Sequence, residues 1–465
     1  MHLDLSKIAR LLGVTIAGLF LLTAIAYALL LFINRHDSAP STDFLALDQA
    51  PGQPAPDDAD NGYVFAMGFS APATADVLVE GRKNIGKLNA WLEKGEDGLY
   101  DNKGPGSVMA VLQAQPGTAS DILTACSLPG ADCLPKQLTD PASISRLIHE
   151  HPWILERYRV LISRPQWREA SPANPVSLFS LYPDSLEAQK ILLLQARINA
   201  QAGNAKAAGQ AVEMDHVFWR NVLANTNSLS TKMAAAASLR RNYVLGSLAL
   251  MAAPGKPEPA SLPPSWKQEI TAADRSFLRI FRGEVRASAD LLKQSELNGA
   301  LVLDAGGHKS IMRGWLEKLL LPLLKRQDTL NFYARKLMAN ELRFSIPLQE
   351  YPGLVMSLRK QKEDWPWSLY NPVGRLLIAT GIEPYADYYP RISDLEGVRR
   401  LALLATTLHM QHVAPDAVAA AVASSTLRNP YNGAAFEWDG KASLLKFQGL
   451  QTNADKAGFN IPYQP

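Results

Sequence analysis

The pattern of apolar and polar positions along the chain begins with one unbroken apolar run. From Leu11 to Ile33 the chain has 23 residues without a charge or a proline. As a helix this run would be about 35 Å long, and the hydrocarbon core of a bilayer is about 30 Å thick. A cleaved signal peptide has a shorter apolar core of about 7–15 residues, followed by a small-residue cleavage site. The run ends instead in Phe-Ile-Asn-Arg-His, so the pattern favours an uncleaved transmembrane anchor.

The residues after this run have a different character up to position 61. Residues 34–61 carry prolines at positions 40, 51, 54 and 56 among acidic and small residues, and they lack a periodic apolar pattern. Prolines favour extended backbone, and a stretch without periodicity has no face to bury. We therefore predict a linker that separates the anchor from the rest of the chain.

Helical spacing of apolar residues dominates the chain after position 61. Residues 62–253 are predicted to form a first helical region, which includes a helix at 183–202 and a second that ends near 225. A Gly-Asn break at 203–204 separates these two helices, so together they resemble a helical hairpin of tetratricopeptide type. No second copy follows at a fixed period near 34 residues, and one hairpin does not make a solenoid.

A second helical region and a mixed C-terminal region complete the predicted architecture. A proline-rich break at 254–264 precedes the second region, residues 265–383, whose longest predicted helix covers 308–344 and is kinked at Pro322. Residues 384–465 contain a helix and then an alternating pattern around Asp-Gly, which predicts a β-hairpin. Residues 62–69 are predicted to be a short strand or a tightly packed segment. An isolated hairpin is marginally stable, so as a strand they would join it in one small sheet. The predicted fold class is mainly α with this small sheet.

The C-terminal region also carries a resemblance. A long helix followed by Asn429-Pro430-Tyr431-Asn432-Gly433 and a hairpin resembles a C-terminal module of uncharacterised single-span bacterial inner-membrane (envelope) proteins. The same layout of helix and strands is similar to the ends of type II secretion pseudopilins. The resemblance implies a fold for this region and supplies no catalytic residues.

Charge predicts both the orientation of the anchor and the kind of partner that is excluded. Lys7 and Arg10 precede the apolar run, whereas after Arg35 no Lys or Arg occurs until Arg82. Positive flanks remain in the cytoplasm, so residues 1–10 are predicted to be cytoplasmic. In a bacterium this means a single-pass inner-membrane protein with a periplasmic body. The formal net charge of +3 gives nucleic-acid binding no electrostatic support.

The two cysteines, Cys126 and Cys133, lie in the segment Cys-Ser-Leu-Pro-Gly-Ala-Asp-Cys. A Pro-Gly pair favours a turn that brings the two ends together, and thiols outside the cytoplasm are commonly oxidised. A disulfide bond is therefore predicted, with two free thiols as the alternative.

Residue patterns that would signal an enzyme, a metal site or a cofactor are weak. His149 and His151 are two residues apart on a helix and point in nearly opposite directions, whereas His409 and His412 share a face but lack a carboxylate at matching spacing. The chain has no G-x-S-x-G nucleophile motif. We predict no catalytic residue, no metal and no cofactor, and the balance of evidence is against an enzyme.

Two clusters are candidates for a surface contact. Basic residues interleave with apolar ones between 309 and 343, beginning with Lys309, Arg313 and Lys318, and this pattern suits either an anionic lipid surface or the outer face of a core helix. Trp365 and Trp367 flank a proline and suit either a contact surface or a rigid core corner. The leading hypothesis is a membrane-anchored scaffold that binds another envelope protein. The alternative is a peptidoglycan or glycan hydrolase whose carboxylates the sequence does not place.

Overall fold

The computed structural model describes residues 5–48, 59–94, 108, 111, 141–169, 183–254, 261–298, 311–360, 368–381, 385–450 and 458–463. It is mainly helical, as predicted, with a small antiparallel sheet near the C-terminus. The helices are α1 (Leu5–Ile33), α2 (Thr42–Leu47), α3 (Gly62–Met67), α4 (Val77–Lys94), α5 (Pro141–Glu150), α6 (Pro152–Ile162), α7 (Pro183–Gln201), α8 (Ala205–Asn225), α9 (Leu229–Leu250), α10 (Ala272–Arg275), α11 (Leu278–Asn298), α12 (Ile311–Leu320), α13 (Arg326–Phe344), α14 (Tyr351–Lys360), α15 (Pro372–Gly381), α16 (Tyr385–Met410) and α17 (Val418–Ser424).

The chain divides into two compact units. The first contains Met1–Gln49, Val285–Ala339 and Lys362–Glu383, and the second contains Ala50–Glu284, Asn340–Gln361 and Pro384–Pro465. The apolar helix α1 therefore belongs to the same unit as α12 and α15. Each unit is assembled from segments that are far apart in the sequence. The predicted boundary between 383 and 384 falls at one division between the units, whereas the boundary predicted after 253 lies inside the second unit.

The core of the second unit is a group of long helices. Helices α7 and α8 form the predicted antiparallel hairpin, and α9 packs against both of them and against α16. The turn between α7 and α8 contains Gly203 with a φ of +85°, a left-handed conformation that glycine adopts without steric cost. Ser228 caps the start of α9 by accepting a hydrogen bond from the Thr231 amide.

The sheet has three strands, β1 (Glu437–Asp439), β2 (Leu444–Phe447) and β3 (Phe459–Pro462), in the order β1-β2-β3. The β1–β2 hairpin confirms the sequence prediction, and its turn is held by the Asp439 carboxylate, which accepts hydrogen bonds from the amides of Lys441 and Ala442. The sheet packs on α16, where a Cβ atom at Gly397 would overlap the ring of Phe447. Glycine at this position lets the strand lie directly on the helix.

The prediction that residues 62–69 add a strand to this sheet is wrong. Gly62–Met67 forms helix α3, whose first turn is capped by the Asn61 side chain, and the third strand is β3. All eight residues of the segment are buried, so the alternative prediction of a tightly packed segment is confirmed. A short apolar run that is buried on every side has no period, so strand and helix give the same sequence pattern. The single helix predicted at 308–344 is two helices, α12 and α13. They are separated by a 3-10 turn that contains Pro322, so the position of the break was predicted but the separation into two helices was not. The predicted Cys126–Cys133 disulfide lies outside the described residues.

Candidate functional site

Helix α1 is the described helix that is long and apolar enough to cross a membrane, over Leu12–Ile33. Most of its side chains are exposed, but one face near its end is not. Tyr27, Leu30 and Leu31 are half-buried and Asn34 is fully buried. Their spacing of i, i+3, i+4 and i+7 places them on one stripe of the helix. Helix α1 also contacts the 3-10 turn Leu321–Leu323, which follows α12.

Tyr27 joins α1 to the end of helix α12. Its hydroxyl donates a hydrogen bond of 2.9 Å to the Leu319 carbonyl oxygen. The last four carbonyl groups of a helix have no partner within the helix, so this bond satisfies one of them. The bond is made by a residue within the apolar span itself, not by the polar segment that follows it.

Asn34 closes the end of α1. Its Nδ2 donates to the carbonyl oxygens of Leu30 and Leu369, each at 2.8 Å, and its Oδ1 accepts from the Asn371 amide at 2.6 Å. A buried amide side chain that makes three good hydrogen bonds costs little, whereas an unsatisfied one would cost about 1–3 kcal/mol. The end of α1 is therefore fixed to the segment that precedes α15.

Asn371 carries this network further into the first unit. Its backbone has a φ of +53°, and its Nδ2 donates to Thr329 Oγ1 and to the Asp328 carboxylate, both at 2.9 Å. Asn is one of the few residues other than Gly that tolerates a positive φ. Asp328 also forms an ion pair with Arg375 at 3.1 Å. These polar side chains join the end of α1, the start of α13 and the segment that leads into α15. We call this contact the junction.

The residues after Asn34 continue along the same surface. The Asp37 carboxylate accepts hydrogen bonds from the amides of Gln327 and Asp328, at 2.8 and 3.0 Å, and so caps the first turn of α13. A carboxylate at a helix N-terminus also interacts favourably with the helix dipole. Asn331 bonds to the backbone of Ala39 and Ser41. Residues 34–41, predicted as part of a linker, are instead packed on α13, because their short polar side chains serve as caps.

A groove on the second unit is a separate candidate. It has a volume of about 380 Å³ and lies along α8 and residues 265–274. Its lining comprises Glu213, Val217, Arg220, Asn221, Ala224, Asn225, Ser265, Gln268 and Asp274. Arg220 forms an ion pair with Asp274 at 2.9 Å, and Glu213 accepts hydrogen bonds from the Ser265 amide and hydroxyl. These pairs form the charged walls of the groove, and Val217 is an exposed apolar residue beside them.

A buried polar cluster lies between α7, α8 and α9. The Asp215 carboxylate accepts hydrogen bonds from Tyr158, Gln189 and Asn242. Burial raises the pKa of Asp215 to about 6, and the hydrogen bonds from Tyr158, Gln189 and Asn242 counteract only part of this effect. The neighbouring His216 bonds to the Tyr243 hydroxyl at 2.7 Å, and burial lowers its pKa to about 3. Both side chains are enclosed by helices, so they support packing and do not face the groove.

The candidate contact residues from the sequence have different outcomes. Lys318 lies on α12 with an exposed side chain. Lys309, Trp365 and Trp367 lie outside the described residues, and so does the side chain of Arg313. The rings of His409 and His412 are 6.4 Å apart. Within the described parts of the chain, no three His, Cys, Asp or Glu side chains are grouped so that they could hold a metal ion.

Sequence reasoning missed the polar residues of the junction. Asn34 follows directly after the apolar run, and Asp37 lies three residues further on. A polar residue at the end of a span is ordinary, so neither position signals a contact. The partner residues around 325–331 and 369–371 are about three hundred positions away, and only the fold brings them together. Comparison of the chain with protein-family models, with curated proteins and with solved structures gave no match.

Proposed function

We propose that the chain is a single-pass protein of a bacterial inner membrane, with residues 1–10 in the cytoplasm and the helical body in the periplasm. We further propose that the body binds another envelope protein and so acts as a scaffold at the membrane. The apolar helix α1 and the excess of Lys and Arg before it support the placement. The Cys126–Cys133 disulfide belongs to the same proposal, because the periplasm is oxidising.

The groove along α8 is the observation that carries the binding role. Val217 and Met214 are exposed on one face of α8, three residues apart, and Val217 borders the groove. A cavity of about 380 Å³ is at the lower end of the range for ligand sites, which is about 300–1,000 Å³. An apolar strip beside charged walls suits a short segment of a partner chain. The strip would cover the apolar side chains of that segment, and the polar groups of the walls would meet its backbone.

The junction at the end of α1 would hold the rest of the first unit to the membrane helix. Residues 34–41 bond to α13 and to the segment before α15 through the buried Asn34 side chain, the exposed Asp37 carboxylate and the Ser41 amide. The apolar helix is therefore attached to the rest of the first unit by a folded contact. A partner bound by this protein would be kept at the membrane.

The hydrolase alternative would require two carboxyl groups that face a cleft. The groove contains two, on Glu213 and Asp274, and both are occupied by hydrogen bonds to neighbouring groups. Asp274 also closes a capping box with Thr271 at the start of α10. These bonds stabilise the local fold. For this reason we propose binding of a partner rather than hydrolysis. Turnover of peptidoglycan by the purified chain, abolished in Glu213→Gln, would favour the hydrolase.

The test is co-purification from detergent-solubilised membranes after mild crosslinking, with the wild type and two charge variants. Val217→Asp places a charge beside the groove, and Val160→Asp is the matched control on α6. The two valines are 51% and 41% exposed, so neither replacement disturbs a core. We expect a stoichiometric partner with the wild type and with Val160→Asp, and its loss with Val217→Asp. The same recovery with all three proteins would contradict the groove as the binding site.

A further inference from the structure

Helix α12 has an unusual distribution of side chains for a helix in water. Its exposed residues include Trp315, Leu316 and Leu319, and the Trp315 side chain is 68% exposed. Glu317, on the same helix, is 7% exposed. A surface helix normally buries its apolar residues and exposes its carboxylates. Among the described side chains of α12, the carboxylate is buried and these three apolar residues are exposed, so the face they form is suited to an apolar environment.

The contact with α1 identifies that environment. Tyr27, which donates to the Leu319 carbonyl, precedes the end of α1 at Ile33 by six residues. At about 1.5 Å per residue, this contact lies about 9 Å inside the end of the apolar span. The last turn of α12 is therefore beside a part of α1 that would be within the bilayer. Its exposed apolar side chains would meet lipid at this level.

Two further exposed residues fit a position of α12 at the membrane–water boundary. Leu369 is exposed, and its carbonyl oxygen accepts a hydrogen bond from Asn34, one residue beyond α1. Lys318 is exposed between Leu316 and Leu319. A lysine on a lipid-facing helix extends its amine to the headgroups, and Trp is enriched at the membrane–water boundary.

We propose that α12 lies in the outer boundary of the bilayer that α1 crosses, with Trp315, Leu316 and Leu319 in contact with lipid. The occupant of this apolar face is the lipid of that same bilayer, because the hydrogen bond from Tyr27 to the Leu319 carbonyl places the last turn of α12 beside the apolar span of α1. This inference rests on the proposed membrane span. It adds a second membrane contact that fixes the first unit at the surface, in the manner of an amphipathic helix inserted by about 5–10 Å.

The test uses the full chain reconstituted into vesicles of phosphatidylethanolamine and phosphatidylglycerol, with or without bromine atoms near the start of the acyl chains. The Trp315 signal is the difference in fluorescence between the wild type and Trp315→Phe. We expect brominated lipid to quench this difference about twofold, because an inserted helix places its apolar residues at that depth. Tyr27→Phe removes the hydrogen bond to α12 and should reduce the quenching. Circular dichroism checks that both variants keep their helices.

An alkaline carbonate wash of the same vesicles separates the two claims. If the wash removes the chain, the proposed membrane span is wrong, and this inference is wrong with it. If the chain stays in the membrane but brominated lipid leaves the Trp315 signal unchanged, the span holds and α12 faces water or protein. In that case the lipid contact proposed here is overturned.

Discussion

The ion pair between Glu396 and Arg399 gives the sharpest prediction about stability. Glu396 Oε1 accepts from Arg399 Nη2 at 2.6 Å, Oε2 accepts from Arg399 Nε at 2.8 Å, and the side chains are 1% and 4% exposed. The Ile270 amide also donates to Glu396, and Arg399 donates to the Trp266 carbonyl oxygen. The pair therefore holds α16 to the segment that follows α9.

The charge of Glu396 is maintained by its partner. Burial alone would raise the pKa of Glu396, but the hydrogen bonds and the charge of Arg399 outweigh this effect and lower it below 4.5. Because the folded-state pKa is depressed, this contribution to stability is complete at pH 7 and is lost as the pH falls below about 4.5. The prediction is therefore made for neutral pH.

Glu396→Gln keeps the shape of the side chain and removes its charge, so Arg399 is left buried without a counter-charge. Breaking a buried pair in this way costs about 3–5 kcal/mol. With a urea slope of about 3 kcal/mol per M, the unfolding midpoint should fall by about 1–2 M. The assay is a urea titration of the full chain in detergent, read by circular dichroism of the helices.

Two controls make this prediction specific. Glu296→Gln breaks an ion pair with Arg326 in which the side chains are 45% and 39% exposed, so its cost should be at most about 1 kcal/mol. The double replacement of Glu396 and Arg399 by Met removes both buried charges but leaves their two backbone partners unpaired, so it should restore only part of the lost stability. A midpoint for Glu396→Gln equal to that of Glu296→Gln would refute the reasoning.

Three further predictions concern other parts of the fold. His216→Gln removes a buried imidazole whose pKa is lowered to about 3. Between pH 7 and pH 4 the wild type should therefore lose on the order of 3 kcal/mol more stability than the variant. Urea titration at each pH measures this difference, and His149→Gln is the exposed control. Asp37→Ala removes the cap of α13 and should cost about 0.5–2 kcal/mol, a value that hydrogen exchange in the first turn of α13 would check. Gly397→Ala forces the Phe447 ring away from α16 and should cost about 1–3 kcal/mol in thermal unfolding, whereas an unchanged midpoint would contradict the close approach.

The helices and the hairpin could be predicted because their signals are local. Gly203 and Asn204 end one helix and begin the next, Pro322 interrupts another, and Asp439-Gly440 marks the hairpin turn. Each of these residues acts on backbone within a few positions of itself. The strand assigned to residues 62–69 failed for the opposite reason, since burial on all sides erased the period that separates strand from helix.

The candidate sites could be predicted only in part, because they depend on distant residues. Asn34 and Asn371 are separated by 337 positions, and their hydrogen bond has no local signature. The interleaved basic and apolar pattern around α12 was visible in the sequence, but a core helix with a basic outer face has the same pattern. The exposure of Trp315 and the contact between Tyr27 and Leu319 are the observations that favour the lipid-facing interpretation proposed above.

The most direct test of the central claim is site-specific photo-crosslinking in living cells, with a photoreactive amino acid at position 217 or at position 160. Val217 borders the groove and Val160 lies on α6, and both side chains are exposed. A binding role predicts one discrete adduct in the membrane fraction from position 217 and none of that mass from position 160. The absence of any adduct from position 217, or the same adducts from both positions, would contradict the proposal that this protein binds an envelope partner through the groove.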